Sequence, residues 1–130
     1  MVKGMAILSP KVHGLLDYGV VIAFAILPAA AGLSGAPKVL SWVLAVVHLG
    51  LTLLTDFPLG AVKLVPLRVH GLIELAVGPV LLAAPWLLRF SADPVARSVY
   101  LVAGAAIFVT WLLTDYSIPE PSVGAPPVPR

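Results

Sequence analysis

The sequence predicts an all-α membrane protein: a bundle of four transmembrane helices made from two tandem helical hairpins. The hairpins share one orientation, so a pseudo-two-fold axis along the membrane normal relates them. Three observations lead there. The 130 residues are 60% hydrophobic and only 11% charged, with mean hydropathy +1.06. A soluble domain is about one quarter charged, so this chain lacks the polar surface to cover a globule in water. Four apolar runs reach the roughly 20 residues that cross a bilayer. Finally, the letters of the first half recur in the second.

The first run spans about His13 to Leu33, and the second about Pro37 to Thr55. The third spans about Pro66 to Phe90, and the fourth about Pro94 to Thr114. Pro37 and Pro94 suit a first helical turn, where no N–H is missed. Ser91 and Asp93 are candidate N-caps for the fourth run. Pro28, Pro79 and Pro85 lie inside runs and invite kinks. Lys3 and Lys11 before an apolar stretch ending "LPAAAGLSGA" mimic a signal peptide. The third run matches the first and cannot be one, so the first helix is expected to be retained.

Four spans place both ends of the chain on one side of the membrane. Lys3, Lys11, Lys63, Arg68 and Arg130 fall there, against Lys38, Arg89 and Arg97 opposite. The positive-inside rule then favours cytoplasmic termini. Residues 1–116 read as a single membrane domain, with hairpins at about 11–57 and 68–116. Residues 117–130 are a proline-rich tail, "SIPEPSVGAPPVPR", expected to be extended and unpacked.

The repeat is set by aligning "KVHGLLDY" with "RVHGLIEL". His13 meets His70 at an offset of 57 (70 minus 13), and Gly14 meets Gly71, Asp17 meets Glu74 and Pro28 meets Pro85. Farther on, "TLLTDF" meets "WLLTDY" at an offset of 59 (111 minus 52). Each unit holds an even number of spans, hence the parallel orientation of the halves.

The stretch from "LTDF" through "VKLVPLRVHGLIELAVGPVLLAAPWLLRF" to "WLLTDY", about Leu54 to Tyr116, resembles the SPW-repeat family of small bacterial integral membrane proteins. The naming tripeptide departs from the family's: Ala84-Pro85-Trp86 stands here, and Leu27-Pro28-Ala29 in the first half. The resemblance implies a helical-hairpin fold and a bacterial cytoplasmic (inner) membrane. It implies no catalytic residue.

Ionisable groups inside a span are expensive and face protein or water. His13, Asp17, Asp56, His70, Glu74 and Asp115 all map near the membrane face that carries the termini. They are expected to form a ring of two histidines and four carboxylates. Asp17 and Glu74 would gain from helix N-termini, while Asp56 and Asp115 sit at C-termini, where the dipole disfavours a carboxylate. Hydrogen bonds from His13 to Asp56 and from His70 to Asp115, or the cross-repeat equivalents, follow as expectations. Lys11, Lys63 and Arg68 are further candidate partners. Such a ring ties helix ends together, or else it holds a proton or cation.

Ser41, Ala45, His48, Thr52 and Thr55 follow helical spacing and form a second polar stripe that faces other helices. His48 stands apart from the ring as a mid-membrane residue. Ala103–Ala106 ("AGAA"), Gly14, Gly19, Gly50, Gly71 and Gly78 are expected to allow close helix approach. Trp42, Trp86, Tyr100 and Tyr116 read as interfacial anchors, and Phe108 and Trp111 as packing residues.

Cysteine is absent, which removes thiolate chemistry. The net charge of +2 is not clustered, so nucleic acid is not an expected partner. No phosphate loop, HExxH or GxSxG signature occurs, and the expectation leans away from an enzyme. The leading expectation is a structural or accessory membrane protein, a homo-oligomer or a subunit beside larger membrane proteins. A small proton or cation transporter using the ring is the alternative. A haem or metal redox protein is third, and no cofactor is expected.

Overall fold

A computed structural model describes residues 6–117; the tail beyond Ser117 lies outside the described residues. Within them the chain is helical: α1 (Pro10–Ala30), α2 (Gly35–Leu54), α3 (Leu67–Leu87) and α4 (Pro94–Leu113). Each helix is long and apolar enough to cross a membrane. Two short strands, β1 (Thr55–Asp56) and β2 (Val65–Pro66), join α2 to α3.

The helix starts follow from local chemistry. Ser9 caps α1, its hydroxyl accepting from the Val12 N–H at 3.3 Å, with Pro10 at the first position. The helix therefore begins three residues before His13. Asp93 caps α4 and accepts from the Val95 and Ala96 amides at 3.0 Å each. Ser91, the other candidate, serves through its carbonyl, which accepts from Arg97 at 2.8 Å. Asp17 and Glu74 are thus each the eighth residue of a helix. That places them about 10 Å along the axis from its start. Dipole stabilisation fades beyond the first turn, so the expected gain at an N-terminus does not reach these carboxylates.

α1 runs on through Pro28, and α3 through Pro79 and Pro85. Both helices close in the same way. The Leu33 amide donates to Pro28 O at 2.9 Å, and the Phe90 amide to Pro85 O at 2.8 Å. The residue just before each donor has positive φ: Gly32 at 63° and Arg89 at 60°. This C-terminal turn favours glycine, because a Cβ in the left-handed region crowds the following carbonyl. Arg89→Gly is therefore expected to raise stability by about 1 kcal/mol, read as a shifted unfolding midpoint in detergent.

α1 packs along α2, and α3 along α4. The hairpins meet at the end of the bundle where α1 and α3 begin. There β1 and β2 pair in parallel, Thr55 beside Val65 and Asp56 beside Pro66. Leu8 bridges Thr114, also in parallel. The start of each of α1 and α3 thus lies against the end of α4 and α2 respectively. Lys63 donates to the Phe57 carbonyl and Arg68 to that of Tyr116 (3.3 Å), so these cations serve backbone rather than the carboxylates expected as partners.

The opposite end holds an apolar core of Phe24, Leu33, Leu81, Phe90, Ala96 and Tyr100. Tyr100 is fully buried, which corrects its expected role as an interfacial anchor. Its hydroxyl donates to Pro37 O at 2.7 Å, and the Ser41 hydroxyl donates to the same carbonyl at 2.8 Å. Tyr116 is buried too, whereas Trp42 and Trp86 are exposed. Phe108 and Trp111 pack ring to ring at 5.5 Å. Gly78 and Gly104 let α3 and α4 close up: a Cβ on Gly104 would lie 2.8 Å from Gly78 O. Gly19 and Gly50 face open space, so close approach does not explain them. Val46 and Val102 are among many apolar side chains directed outward, 73% and 69% exposed, as lipid-facing residues would be.

Candidate functional site

Two turns into α1 and α3, four ionisable side chains converge. His13 and Asp17 come from α1, and His70 and Glu74 from α3. All four are buried, and one ligating atom from each lies within 4.8 Å of the other three. An i,i+4 spacing puts the histidine and carboxylate of each helix on one face. That face turns to its counterpart.

The four side chains alternate around a ring. His13 Nε2 lies 3.5 Å from Asp17 Oδ2 and 3.4 Å from Glu74 Oε2. His70 Nε2 lies 3.4 Å from Asp17 Oδ2 and 3.6 Å from Glu74 Oε1. These separations exceed the 2.7–3.2 Å of an ordinary N–H···O bond, about 2.9 Å at the mode. His13 Nε2, His70 Nε2, Asp17 Oδ2 and Glu74 Oε2 are buried and have no hydrogen-bond partner.

The outer side of each imidazole is fully engaged. His13 Nδ1 meets Thr114 Oγ1 at 2.7 Å, and His70 Nδ1 meets Thr55 Oγ1 at 2.7 Å. Each threonine already donates its hydroxyl proton one turn back, Thr114 to Thr110 O and Thr55 to Leu51 O, both at 2.6 Å. A hydroxyl has one proton. The threonine oxygens must therefore accept, and Nδ1 of each histidine carries the hydrogen. In its neutral form each imidazole then directs the Nε2 lone pair into the ring.

Two aromatic rings close the end of the site. Phe57 stacks edge-on to His70 at 6.5 Å and presses on Gly14. Tyr116 stacks edge-on to His13 at 6.3 Å and presses on Gly71. Burial, followed by the charge of Glu74, pushes the Tyr116 phenol above its usual range. His48, expected to stand apart, joins the group: its Nε2 lies 3.6 Å from Asp17 Oδ1. Its side chain is 11% exposed, the most open of the five. Helical spacing along the predicted stripe explains this, because the face carrying Ser41, Thr52 and Thr55 also carries His48. Thr52, inside α2, donates its hydroxyl back one turn to His48 O at 2.8 Å.

Asp56 and Asp115 do not join the ring. Asp56 is half-buried in β1. Asp115 accepts from the Ser117 amide at 2.9 Å and its hydroxyl at 2.5 Å. Those two bonds hold its carboxyl below the ordinary aspartate range. The expected histidine–aspartate bonds are replaced by bonds to the residue before each aspartate. A threonine accepts without adding a charge at the dipole's negative end, and its second bond to the helix carbonyl keeps it rigid. Thr114 was not singled out in the sequence, although its "TD" pair is repeated as faithfully as the acids are.

Comparisons with protein-family models, curated proteins and solved structures found no match to this chain. The geometry alone carries the functional reading.

Proposed function

We propose that this chain is a small multi-pass membrane protein whose working part is a buried cation centre built from His13, Asp17, His70 and Glu74. One observation carries this reading: four unpartnered polar atoms of buried side chains face each other, while every other bond of the two imidazoles is satisfied. Ties between helix ends need only the threonine–histidine bonds. The inward atoms serve no tie. Two carboxylates beside two neutral imidazoles would leave two negative charges in a medium where an unpaired ion costs several kcal/mol. A cation, either protons on the ring or a metal ion, removes that charge.

The proposal includes a tandem repeat. The two 2.7 Å threonine–histidine bonds, the two 3.4 Å cross-helix contacts and the Gly14–Phe57 and Gly71–Tyr116 contacts exchange under the 57–59 residue offset. They support the pseudo-two-fold arrangement and sit well with the SPW-repeat resemblance. The many exposed apolar side chains support packing against lipid or other membrane subunits. Haem is not supported: the His13 and His70 rings are 5.1 Å apart in direct edge contact, with carboxylates between their inward nitrogens. That leaves no slot for a macrocycle.

Unfolding of the detergent-solubilised full chain tests the reading. With chelator at alkaline pH, both protons and metals are withdrawn, and the wild type should lose stability relative to neutral pH without chelator. The Asp17→Asn/Glu74→Gln variant has no charge to offset and should be insensitive to that change. If the variant is weaker than wild type under both conditions, the carboxylates are ties and the cation reading fails.

A further inference from the structure

The cation centre has the shape and donor set of a transition-metal site, an inference that rests on the cation reading above. We infer that His13 Nε2, His70 Nε2, Asp17 Oδ2 and one Glu74 oxygen together bind one divalent first-row transition-metal ion. Four geometric and chemical facts converge on this.

The first is distance. Ligands at about 2.0–2.1 Å from a tetrahedral ion are separated by roughly 3.3–3.4 Å along each edge. With Glu74 Oε2 as the ligand, three edges measure 3.4, 3.4 and 3.5 Å, and one ligating atom from each of the four side chains lies within 4.8 Å of the others. These separations are loose for hydrogen bonds and close to the size of a coordination shell.

The second is tautomer. Protein-bound metals take the imidazole lone pair, and the other ring nitrogen donates to an outer acceptor. Thr55 and Thr114 impose that state on His70 and His13 before any ion arrives. They are positioning residues: they touch the ligands and not the ion.

The third is charge. Asp17 and Glu74 together neutralise a doubly charged ion, so the filled centre is neutral overall. A monovalent or trivalent ion would leave net charge in the bundle.

The fourth is ligand softness. Two imidazoles with two carboxylates and no thiolate suit Mn²⁺, Fe²⁺, Co²⁺, Ni²⁺ or Zn²⁺. Mg²⁺ and Ca²⁺ prefer an all-oxygen shell with more ligands. His48 approaches the second oxygen of Asp17 and sits at the more open side of the centre.

The groups facing the ion come from every neighbouring element: His13 and Asp17 from α1, His48 from α2, His70 and Glu74 from α3, and Tyr116 after α4.

Titration of the purified full chain with Co²⁺, followed by visible absorption, tests the assignment. One Co²⁺ per chain should bind and give the intense d–d bands of a low-coordinate site, and Zn²⁺ should displace it. Mg²⁺ or Ca²⁺ in large excess should not. Asp17→Asn/Glu74→Gln, which the cation reading expects to fold, should abolish the bands. Thr114→Val should weaken binding about 10–100-fold and shift the bands, as loss of an outer partner does; Thr114→Ser should restore both. Absence of stoichiometric Co²⁺ binding, bands that survive in the double variant, or equal competition by Mg²⁺ would overturn the inference. If no metal binds but wild-type stability still falls at alkaline pH while the double variant does not respond, protons are the cation and only the metal assignment falls. If neither response occurs, both readings fall.

Discussion

His13→Phe is expected to destabilise the protein by about 3–5 kcal/mol, the range for removing one partner from a buried set of charges. The substitution keeps a ring of similar volume and stays helical. It deletes the group that lies 3.5 Å from Asp17 and 3.4 Å from Glu74. Both carboxylates are buried, so neither can turn to water for compensation. Thr114 also loses its partner across the α1–α4 junction. His48→Phe is the matched control. Its nitrogen makes one 3.6 Å approach to the outer oxygen of Asp17, and its side chain retains some exposure. A loss of about 1 kcal/mol, typical of a point mutation, is expected there. Unfolding midpoints of the two variants in the same detergent decide the matter. Equal losses would remove the special standing of the ring.

Gly14→Ala should cost about 3 kcal/mol, the upper part of the usual overpacking range. A Cβ at this position would sit 1.8 Å from Cε2 of Phe57. Phe57 is fully buried, held between α1 and His70, so it has nowhere to go. Gly71→Ala meets the Tyr116 ring at 2.6 Å and should behave similarly, somewhat less severely. Gly50→Ala provides the contrast. No atom lies within 4 Å of its added methyl, and alanine in a helix interior gains roughly 0.5–1 kcal/mol over glycine. Combining Gly14→Ala with Phe57→Ala should give much less than the sum of the two losses, because the clash needs both groups. Strict additivity would mean that Phe57 does not press on α1 in the folded protein.

Much of the centre was legible in the sequence. His13, Asp17, His70 and Glu74 stand out because ionisable residues are rare in apolar runs and because the pair occurs twice. The i,i+4 spacing puts each histidine and carboxylate on one helix face. The partners of the histidines were harder to see. Reading the charges as the chemistry pointed to Asp56 and Asp115, whereas the neighbouring Thr55 and Thr114 make the bonds. One residue along an extended segment reverses the side-chain direction, and these residues sit just where each helix gives way to extended backbone. No pattern in the chain says which of the two turns inward. His48 was visible as part of a stripe, but its distance from Asp17 depends on how α2 rotates against α1.

By itself the sequence determined that four apolar helices form, where the acids and imidazoles lie along them, and that cysteine chemistry is absent. Helix length, capping and polarity are local properties that a chain carries in any surroundings. Only the tertiary structure decided that α1 and α3 turn their ionisable faces to each other, and that Tyr100 and Tyr116 are buried rather than at an interface. It also decided that two threonines hold the imidazoles with Nε2 inward. Those outcomes depend on rotations of helices about their axes and on separations of a few tenths of an ångström. They follow from packing among residues far apart in the chain, such as Gly14 against Phe57 and Gly71 against Tyr116.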